Sequence, residues 1–457
     1  MSHAPRDSRA QWVSSLERLS KAYLVVLLVV LPHWKFQVLL DRPPAFMFFE
    51  VRDFVLYATD VLWWGALIVW LLSRVVARPR PLIAGPLFIF MPLVGLVLLG
   101  FMGVPQAVDP PLAFYHVLRL SMVLLLYLML VNLPLSAGSV TWALAASTVL
   151  QAVVALRQFE LGQSIGLTFL GEAPAKTAWA GASVIMLGGE RFLRAHGLTQ
   201  HPNLLGGCLS VFLLIMVGYY LSRRGWQRLT LSIALGVGLA ALLVTFSRSA
   251  WLGLAVGTVA MVGLLAVGRQ EEPFPWRPLA WLAAGAFIVL MVFVRGNWAL
   301  LEPRLGLTVE GTEIRSADER KELVGGARVL IEQRPMMGVG LGNFSLALYR
   351  LAPQAMADYP IYQPVHNVYL LATAELGIPG GILWVVLLLA PWVAIGRCWR
   401  RLKITFWLAG LSGAMAALAT LSSFDHYVLA LQQGRLLFCL VFGLRASEWQ
   451  RCKVVDE

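Results

Sequence analysis

Long apolar runs, separated by short polar segments, dominate the pattern of this chain. Most runs are about 17–25 residues long, the length at which a helix crosses roughly 30 Å of hydrocarbon. The pattern therefore predicts an all-α polytopic integral membrane protein with about twelve transmembrane helices. The predicted spans are residues 22–40, 54–72, 82–103, 112–132, 140–159, 202–221, 229–245, 249–267, 278–295, 366–396, 404–422 and 428–445. Residues 2–21 are predicted as an amphipathic helix at the membrane interface.

One long polar interval, residues 296–365, lies between the ninth and tenth predicted spans. A helix is predicted inside it because Ser316 and Glu319 have capping-box spacing, and because apolar residues from Leu323 to Ile331 recur on one helical face. Pro335 is expected to end that helix. We interpret residues 1–457 as a single membrane domain, in which 296–365 forms a long extracytoplasmic loop with a helical cap.

A glycine run, Gly338-Val-Gly340-Leu-Gly342, follows the predicted cap helix. It has the glycine density of a phosphate-binding loop, but it lacks the Lys-Ser/Thr pair of a P-loop and follows no strand. Glycine also permits tight backbone turns that other residues avoid. The run is therefore predicted to be a tight turn that packs against the membrane domain.

Composition agrees with a membrane protein: 58% of the 457 residues are hydrophobic, 14% are charged, and the mean hydropathy is +0.72. The net charge of +12 does not indicate nucleic-acid binding, because Lys and Arg are grouped in short loops between apolar runs. The positive-inside rule then predicts that both termini are cytoplasmic and that the long loop faces outward. We expect the N-terminal segment to be an uncleaved anchor, because no cleavage site is evident.

Arginines occur in the segments that are predicted to face outward, where membrane-adjacent cations are usually scarce. Arg191 and Arg194 lie in one such segment, and Arg248 lies in a turn so short that its side chain is expected at the membrane surface. Snorkelling or ordinary loop charge would also explain them. The planar guanidinium suits phosphate oxygens, so an anionic lipid phosphate or diphosphate is the predicted ligand.

His366 lies at the boundary between the long loop and the next apolar run, followed by Asn367. Histidine can accept a proton near neutral pH, so His366 is a candidate general base; a surface or helix-capping histidine is the alternative. No spacing of His, Cys or acidic residues matches a known metal site, so no metal is predicted. Arginines would then have to stabilise a departing phosphate.

Four short motifs in order resemble the O-antigen ligase/O-antigen polymerase superfamily. The motifs are Arg194-x-x-Gly197 with His201-Pro202-Asn203, Ser247-Arg248-Ser249-Ala250, Pro335-x-x-Gly338-Val-Gly340-x-Gly342-x-Phe344, and His366-Asn367-x-Tyr369-Leu with Glu375-x-Gly377-x-Pro-Gly380. The long outer loop before the tenth span fits the same resemblance. It covers roughly the C-terminal 60% of the chain, and the first five spans match only in hydropathy.

The resemblance implies a GT-C-like glycosyltransferase in the inner membrane of a Gram-negative bacterium. Its donor would be an undecaprenyl-diphosphate-linked glycan on the periplasmic side, its acceptor lipid A–core, and it would need neither metal nor other cofactor. By motif, His366, Arg194 and Arg248 would be catalytic, and a single displacement would invert the anomeric centre. Predicted substrate-binding residues are Arg191, His201, Asn203, Asn367 and Tyr369. The family often has Asn where His201 stands, which leaves that position's role open.

Other functions also fit the pattern. An O-antigen polymerase or a protein O-oligosaccharyltransferase would share the donor and differ in the acceptor. A lipid-linked glycan transporter is a further alternative, although mid-span charges are few, Arg119 and Arg435 being the exceptions. The early outer loop favours the ligase, because Lys35, Arg42 and Arg52 could meet the phosphates of lipid A–core.

An acceptor channel near His366 is also predicted. It would open to lipid, and the segment 344–362, with Tyr349, Tyr359 and Tyr362, would line it.

Overall fold

Helices make up most of the computed structural model, which describes residues 8–43, 49–77, 81–179, 182–268, 273–307, 311–351, 363–398 and 402–454. The helices are α1 Ser8–Val30, α2 Ala58–Val76, α3 Leu87–Gly103, α4 Pro110–Asn132, α5 Ala137–Leu161, α6 Pro202–Tyr220, α7 Gly225–Val244, α8 Arg248–Val267, α9 Trp276–Arg304, α10 Gly311–Gln333, α11 Phe344–Leu351, α12 Val368–Arg397, α13 Phe406–Phe424, α14 Tyr427–Ala430 and α15 Gln432–Val454. The strands are β1 Phe36–Leu40, β2 Phe54–Tyr57, β3 Val184–Leu187 and β4 Glu190–Leu193. Short 3-10 helices occupy Phe49–Val51, Val104–Gln106 and Thr168–Leu170.

Ten helices in the described part of the chain are long and apolar enough to cross a membrane. They are α2 through α9, α12 and α13, which correspond to the ten predicted spans from 54–72 to 404–422. The predicted class, a predominantly helical polytopic membrane protein, is confirmed. The remaining two predicted spans, 22–40 and 428–445, overlap α1 and α15, which fall outside this set of ten.

The first predicted span was placed too far along the chain. One continuous helix, α1, begins at Ser8 and ends at Val30, and the chain then enters β1 at Phe36. Pro32 lacks an amide hydrogen and disfavours helix at the residue before it, which explains why the helix stops there. Strand β1 pairs antiparallel with β2, so this apolar segment forms a hairpin and does not extend a span.

A second two-stranded hairpin, β3–β4, also departs from the all-α prediction. Its turn is Gly188-Gly189, and both residues have positive φ angles, 59° and 87°. Two-residue hairpin turns favour such a pair because their twist matches that of the flanking strands. The hairpin ends at Leu193, so it delivers the following residue, Arg194, to a fixed position.

Helix α13 packs between α6 and α8 through glycines. A Cβ added at Gly257 in α8 would lie 2.6 Å from the carbonyl oxygen of Gly413, and one added at Gly410 would lie 2.8 Å from the Cα of Gly218. Small residues permit this close approach of helix backbones in membranes. These contacts join the first half of α13 to the last turn of α6 and to the middle of α8.

The polar interval contains the predicted helix, α10, in which Leu323, Ala327 and Leu330 are buried as expected. Its start differs from the prediction: the helix begins at Gly311, so Ser316 lies inside it and is not its cap. Helix α9 continues to Arg304 beyond a kink at Asn297, which shortens the loop at its N-terminal end.

The glycine run forms a tight turn against α12, as predicted. Gly338, Gly340 and Gly342 all have positive φ angles. The amides of Val339 and Gly340 donate to the carbonyls of Ala374 and Glu375 at 2.9 Å and 3.0 Å. These bonds brace the first half of α12, which begins two residues after His366.

The two mid-span arginines have buried protein partners. Arg119 forms an ion pair with Asp60 at 3.1 Å. Arg435 donates to the carbonyl of Leu429 at 2.6 Å and contacts Nδ1 of His116 at 3.1 Å. Both arginines therefore connect helices within the bundle. These protein partners offset the free-energy cost of burying a charged side chain in the membrane.

Candidate active site

A cavity of about 570 Å³ lies where the connections at one end of the helices meet. Its walls come from the segment between α1 and β1, the 3-10 helix Phe49–Val51, the β4–α6 connection, the segment before α12, and the α13–α14 turn. The polar and aromatic lining residues include Trp34, Glu50, Arg194, His196, Gln200, His201, His366, Asp425, His426 and Tyr427. A pocket of this size and mixed lining is typical of a small-molecule or cofactor site.

Arg194 is held in the cavity wall by hydrogen bonds to the α7–α8 turn and to the start of α6. Its Nε donates to the carbonyl of Thr245 at 2.9 Å, and its Nη2 donates to Oδ1 of Asn203 at 2.7 Å. The amide of Ala195 also donates to the carbonyl of Val244 at 3.1 Å. The guanidinium is thus oriented by the α7–α8 turn before any ligand binds.

Asn203 links Arg194 to an acid that the sequence motifs did not include. While its Oδ1 accepts from Arg194, its Nδ2 donates to Oδ2 of Asp425 at 2.9 Å. Its amide donates to Nδ1 of His201, so His201 caps α6 and also lines the cavity. The predicted roles of His201 and Asn203 in substrate binding stay predictions, but both residues lie at the site.

His366 faces Asp425 across the cavity wall. Its Nδ1, which is buried, lies 3.5 Å from Oδ1 of Asp425. The His426 ring lies beside it, with 5.0 Å between the ring centroids. Since Nδ1 points to the acid, Nε2 is the nitrogen placed to exchange a proton with a bound molecule.

The surroundings shift the protonation of this cluster. Burial would raise the pKa of Asp425, but contact with His366 and the nearby His426 and His201 lowers it below its usual range. Burial lowers the pKa of His426 to about 4, helped by the neighbouring His366. Burial and the positive charge of Arg194 lower the pKa of His201 to about 3. Near neutral pH Asp425 is therefore ionised, whereas His201 and His426 are neutral.

Two of the three predicted arginines lie outside the cavity lining. Arg191 is exposed in β4, where its guanidinium donates to the carbonyl of Trp179 at 2.9 Å. Arg248 is exposed at the start of α8, with Nη1 3.3 Å from the carbonyl oxygen of Arg304. Arg304 in turn donates to the carbonyl of Phe246 at 2.7 Å, so Arg248 and Arg304 flank the same turn that orients Arg194.

Asn367 and Tyr369 have structural partners. The side-chain oxygen of Asn367 caps α12 by accepting from the amide of Leu370 at 3.0 Å, and its Nδ2 donates to the carbonyl of Ser423. The Tyr369 hydroxyl donates to the carbonyl of Ala419 at 3.2 Å. Both contacts fasten α12 to α13, so these residues position His366 and Asp425 relative to each other. Their predicted contact with substrate stays a prediction.

The site also brings together a possible ligand set for a metal. His366, Asp425 and His426 each offer a ligand atom, and these atoms lie within 4.8 Å of one another. Residue spacing along the chain did not reveal this set, because the fold brings Asp425 and His426 to His366. Two histidines and one carboxylate would suit zinc or a similar ion. Independence from metals remains a prediction.

Sequence reasoning missed Asp425 and His426. They occupy the short gap between the predicted spans 404–422 and 428–445, on the side that the alternation of spans assigns to His366. A polar pair in such a gap was the available signal. Its proximity to His366 depends on how α12 and α13 pack, which no local pattern reveals.

Residues 231–385, about a third of the chain, match the family model described as O-antigen ligase. This match supports membership of the O-antigen ligase/polymerase superfamily. No curated protein sequence matches it. The matched region includes the Arg248 turn and His366, whereas Arg194 and Asp425 lie outside it and are joined to the site by the fold.

The match to this family agrees with the broad character of the site. Members are glycosyltransferase-like enzymes that act on lipid-linked glycans, in the context of membrane lipids. The cavity at the end of the apolar helices, with an arginine, a histidine and a carboxylate in its wall, suits an anionic and sugar-bearing substrate of this kind.

Proposed function

We propose that this protein is an O-antigen ligase that transfers a polysaccharide from undecaprenyl diphosphate to lipid A–core. The reaction takes place on the periplasmic side of the bacterial inner membrane, with both termini in the cytoplasm. The observation that carries the proposal is the chain of contacts from Arg194 through Asn203 and Asp425 to His366, in which Arg194, Asp425 and His366 line the same cavity. It combines a phosphate-binding cation with a general base held by a carboxylate.

In this mechanism His366 activates the acceptor. Its Nε2 takes the proton from a hydroxyl group of the core sugar as that oxygen attacks the anomeric carbon of the donor. Asp425 holds Nδ1 and stabilises the imidazolium that forms, which is the role of an acid beside a catalytic histidine. The bond between the anomeric carbon and the diphosphate oxygen breaks, and the oxygen keeps the electron pair. A single displacement inverts the anomeric centre.

Arginine stabilises the leaving group. Negative charge on the bridging oxygen grows as the glycosidic bond breaks, and an oriented guanidinium lowers the energy of that state. Arg194 is placed for this role by Thr245 and Asn203. Arg248, with Arg304 beside it at the membrane surface, is assigned to the part of the diphosphate nearest the lipid. No metal ion has a role in this scheme.

The second candidate is an O-antigen polymerase or protein O-oligosaccharyltransferase with the same donor site. A specific observation favours it: two of the three cations invoked for the lipid A–core phosphates are already paired. Arg42 forms an ion pair with Asp109 at 2.8 Å, and Arg52 pairs with Asp41 at 2.8 Å and with Asp53 at 3.0 Å. Lys35, the third of these cations, is exposed.

The predicted acceptor channel stays a prediction. The cavity wall includes Gln363 and Pro364, which directly follow the segment that was predicted to line it. Within that segment, Tyr349 lies in α11, whereas Tyr359 and Tyr362 lie outside the described residues.

Reconstitution with purified lipid-linked glycan, with and without lipid A–core, separates these functions. Product that forms only with lipid A–core supports the ligase. Elongated lipid-linked polymer in its absence identifies a polymerase, and glycan transfer to an added acceptor protein identifies an oligosaccharyltransferase. The His366→Ala protein is the matched control, because any true product must disappear with it.

A further inference from the structure

One wall of the cavity is formed by the segment between α1 and β1 and by the connection between β1 and β2. This wall carries an aromatic ring and a carboxyl group. Trp34 and Glu50 both line the cavity, and both side chains are only half-buried. Neither belongs to the motifs that led to the proposed function, and neither lies in the region matched by the family model.

Trp34 is fixed by its backbone to the segment that carries Arg194. Its amide donates to the carbonyl of Leu198 at 2.8 Å, and the next carbonyl, that of Lys35, accepts from the amide of Ala58 at 2.9 Å. Gly171 has a positive φ, and a Cβ there would lie 2.8 Å from the Trp34 nitrogen. The Phe36 ring packs beside the indole at 4.9 Å. The backbone of Trp34 is therefore anchored to the segment that carries Arg194, and its indole is packed against Phe36.

Glu50 is brought to the cavity by the 3-10 helix Phe49–Val51. Burial raises the pKa of its carboxyl to about 7, although its own amide and the Trp34 side chain act in the opposite direction. A carboxyl that titrates near neutrality can both donate and accept hydrogen bonds. Hydroxyl groups on a sugar have the same double capacity, whereas a diphosphate would be repelled by the ionised form.

We propose that Trp34 and Glu50 form a pyranose subsite of this cavity. The indole packs against the apolar C–H face of a sugar ring, and the Glu50 carboxyl hydrogen-bonds to its hydroxyls. The subsite divides the cavity by charge, with the diphosphate on the Arg194 wall and a neutral sugar on the Trp34–Glu50 wall. This assignment rests on the proposed function, since it names which part of the glycan substrates binds where.

The sugar held there belongs either to the donor glycan or to the acceptor. Steady-state kinetics of the full-length reconstituted protein, with each substrate varied in turn, assigns it. Trp34→Ala and Glu50→Ala are expected to raise the KM of one substrate about tenfold, with kcat nearly unchanged. Trp34→Phe and Glu50→Gln, which keep an aromatic face and a neutral hydrogen-bonding group, should show smaller increases. Trp179→Ala and Glu190→Gln are matched controls, because both side chains are exposed on outer segments away from the cavity lining.

A second measurement does not depend on transfer. Saturation-transfer NMR with soluble oligosaccharides, one from the delipidated core and one from the glycan repeat, reports sugar binding directly. Loss of the signal for one sugar in Trp34→Ala, with His366→Ala unaffected, supports the subsite even if no acceptor is glycosylated. Unchanged KM values and unchanged NMR signals for both sugars overturn it. A fall in kcat with unchanged KM also overturns it, because the residues would then serve the chemistry or the fold.

Discussion

Nδ1 of His366 lies 3.5 Å from Oδ1 of Asp425, although one residue precedes α12 and the other follows α13. The pair exists because both helices present their ends to the same cavity and because Asn203 holds the other carboxylate oxygen at 2.9 Å. In the proposed mechanism this carboxylate favours the tautomer with hydrogen on Nδ1, which leaves Nε2 to accept the proton.

Loss of the base should nearly abolish transfer. His366→Ala is expected to lower kcat by about 10²–10⁴-fold, since a general base contributes that much. Asp425→Asn keeps the shape of the side chain but removes its charge, so it should also lower kcat, with little change in the KM for the donor. Assays of purified protein at matched expression test both. Near-normal turnover by His366→Ala would exclude the base, and normal turnover by Asp425→Asn would exclude its partner.

Lysine should not replace either arginine. Lysine is a compact charge that cannot form a bidentate fork to phosphate. Arg194→Lys also loses the geometry that joins Thr245 to Asn203. We expect both Arg194→Lys and Arg248→Lys to impair transfer, with the larger loss at Arg194 because it lines the cavity. Donor titrations measure this, with Arg157→Lys, an exposed position on α5 outside the motifs, as the control. If Arg248→Lys is fully active, Arg248 acts only as an interfacial charge.

Transfer should continue without divalent ions. His366, Asp425 and His426 lie close enough to bind a metal, so the structure makes this test necessary. Purified protein is expected to retain its activity in excess EDTA, and His426→Asn should retain more activity than His366→Ala. Inhibition by EDTA that a divalent ion reverses would instead identify the three residues as a metal centre.

Acidification should destabilise the folded protein through two buried histidines. The pKa of His426 is lowered to about 4 and that of His201 to about 3, from an ordinary value of 6.5. At these two positions the unfolded chain binds more protons than the folded one below pH 6.5, so their contribution to stability falls as the pH decreases toward 4. Glu50, whose pKa is raised to about 7, acts in the opposite direction, so the test is a comparison of variants. Between pH 7.5 and 5, acidification should lower the midpoint of thermal unfolding less in His426→Asn than in the unsubstituted protein, and equal slopes would contradict the assignment.

Helix packing around α13 should tolerate no added methyl group. Gly257→Ala would place a Cβ 2.6 Å from the carbonyl oxygen of Gly413, whereas the same change at Gly263 in the same helix meets nothing within 4 Å. Over-packing typically costs about 1–3 kcal/mol. Gly257→Ala is therefore expected to lower the unfolding midpoint and the yield, while Gly263→Ala does neither. Equal behaviour of the two variants would show that the α8–α13 contact is looser.

Much of this architecture follows from local pattern. Run length alone located the ten long apolar helices, because crossing a bilayer imposes a minimum length on each. The spacing of Leu323, Ala327 and Leu330 identified the cap helix, and the density of glycine identified the turn that packs on α12. The Gly188-Gly189 pair could have revealed the β3–β4 hairpin in the same way.

The sequence by itself determined that apolar helices would surround a small set of polar connections, because desolvation confines charge to the ends of membrane helices. Only the tertiary structure decided which of those polar residues meet. It joined His366 to Asp425, brought Arg194 into the cavity, left Arg191 and Arg248 outside its lining, and paired Arg42 with Asp109. These outcomes depend on how helices far apart in the chain pack together, and residue spacing within one segment carries no information about that packing.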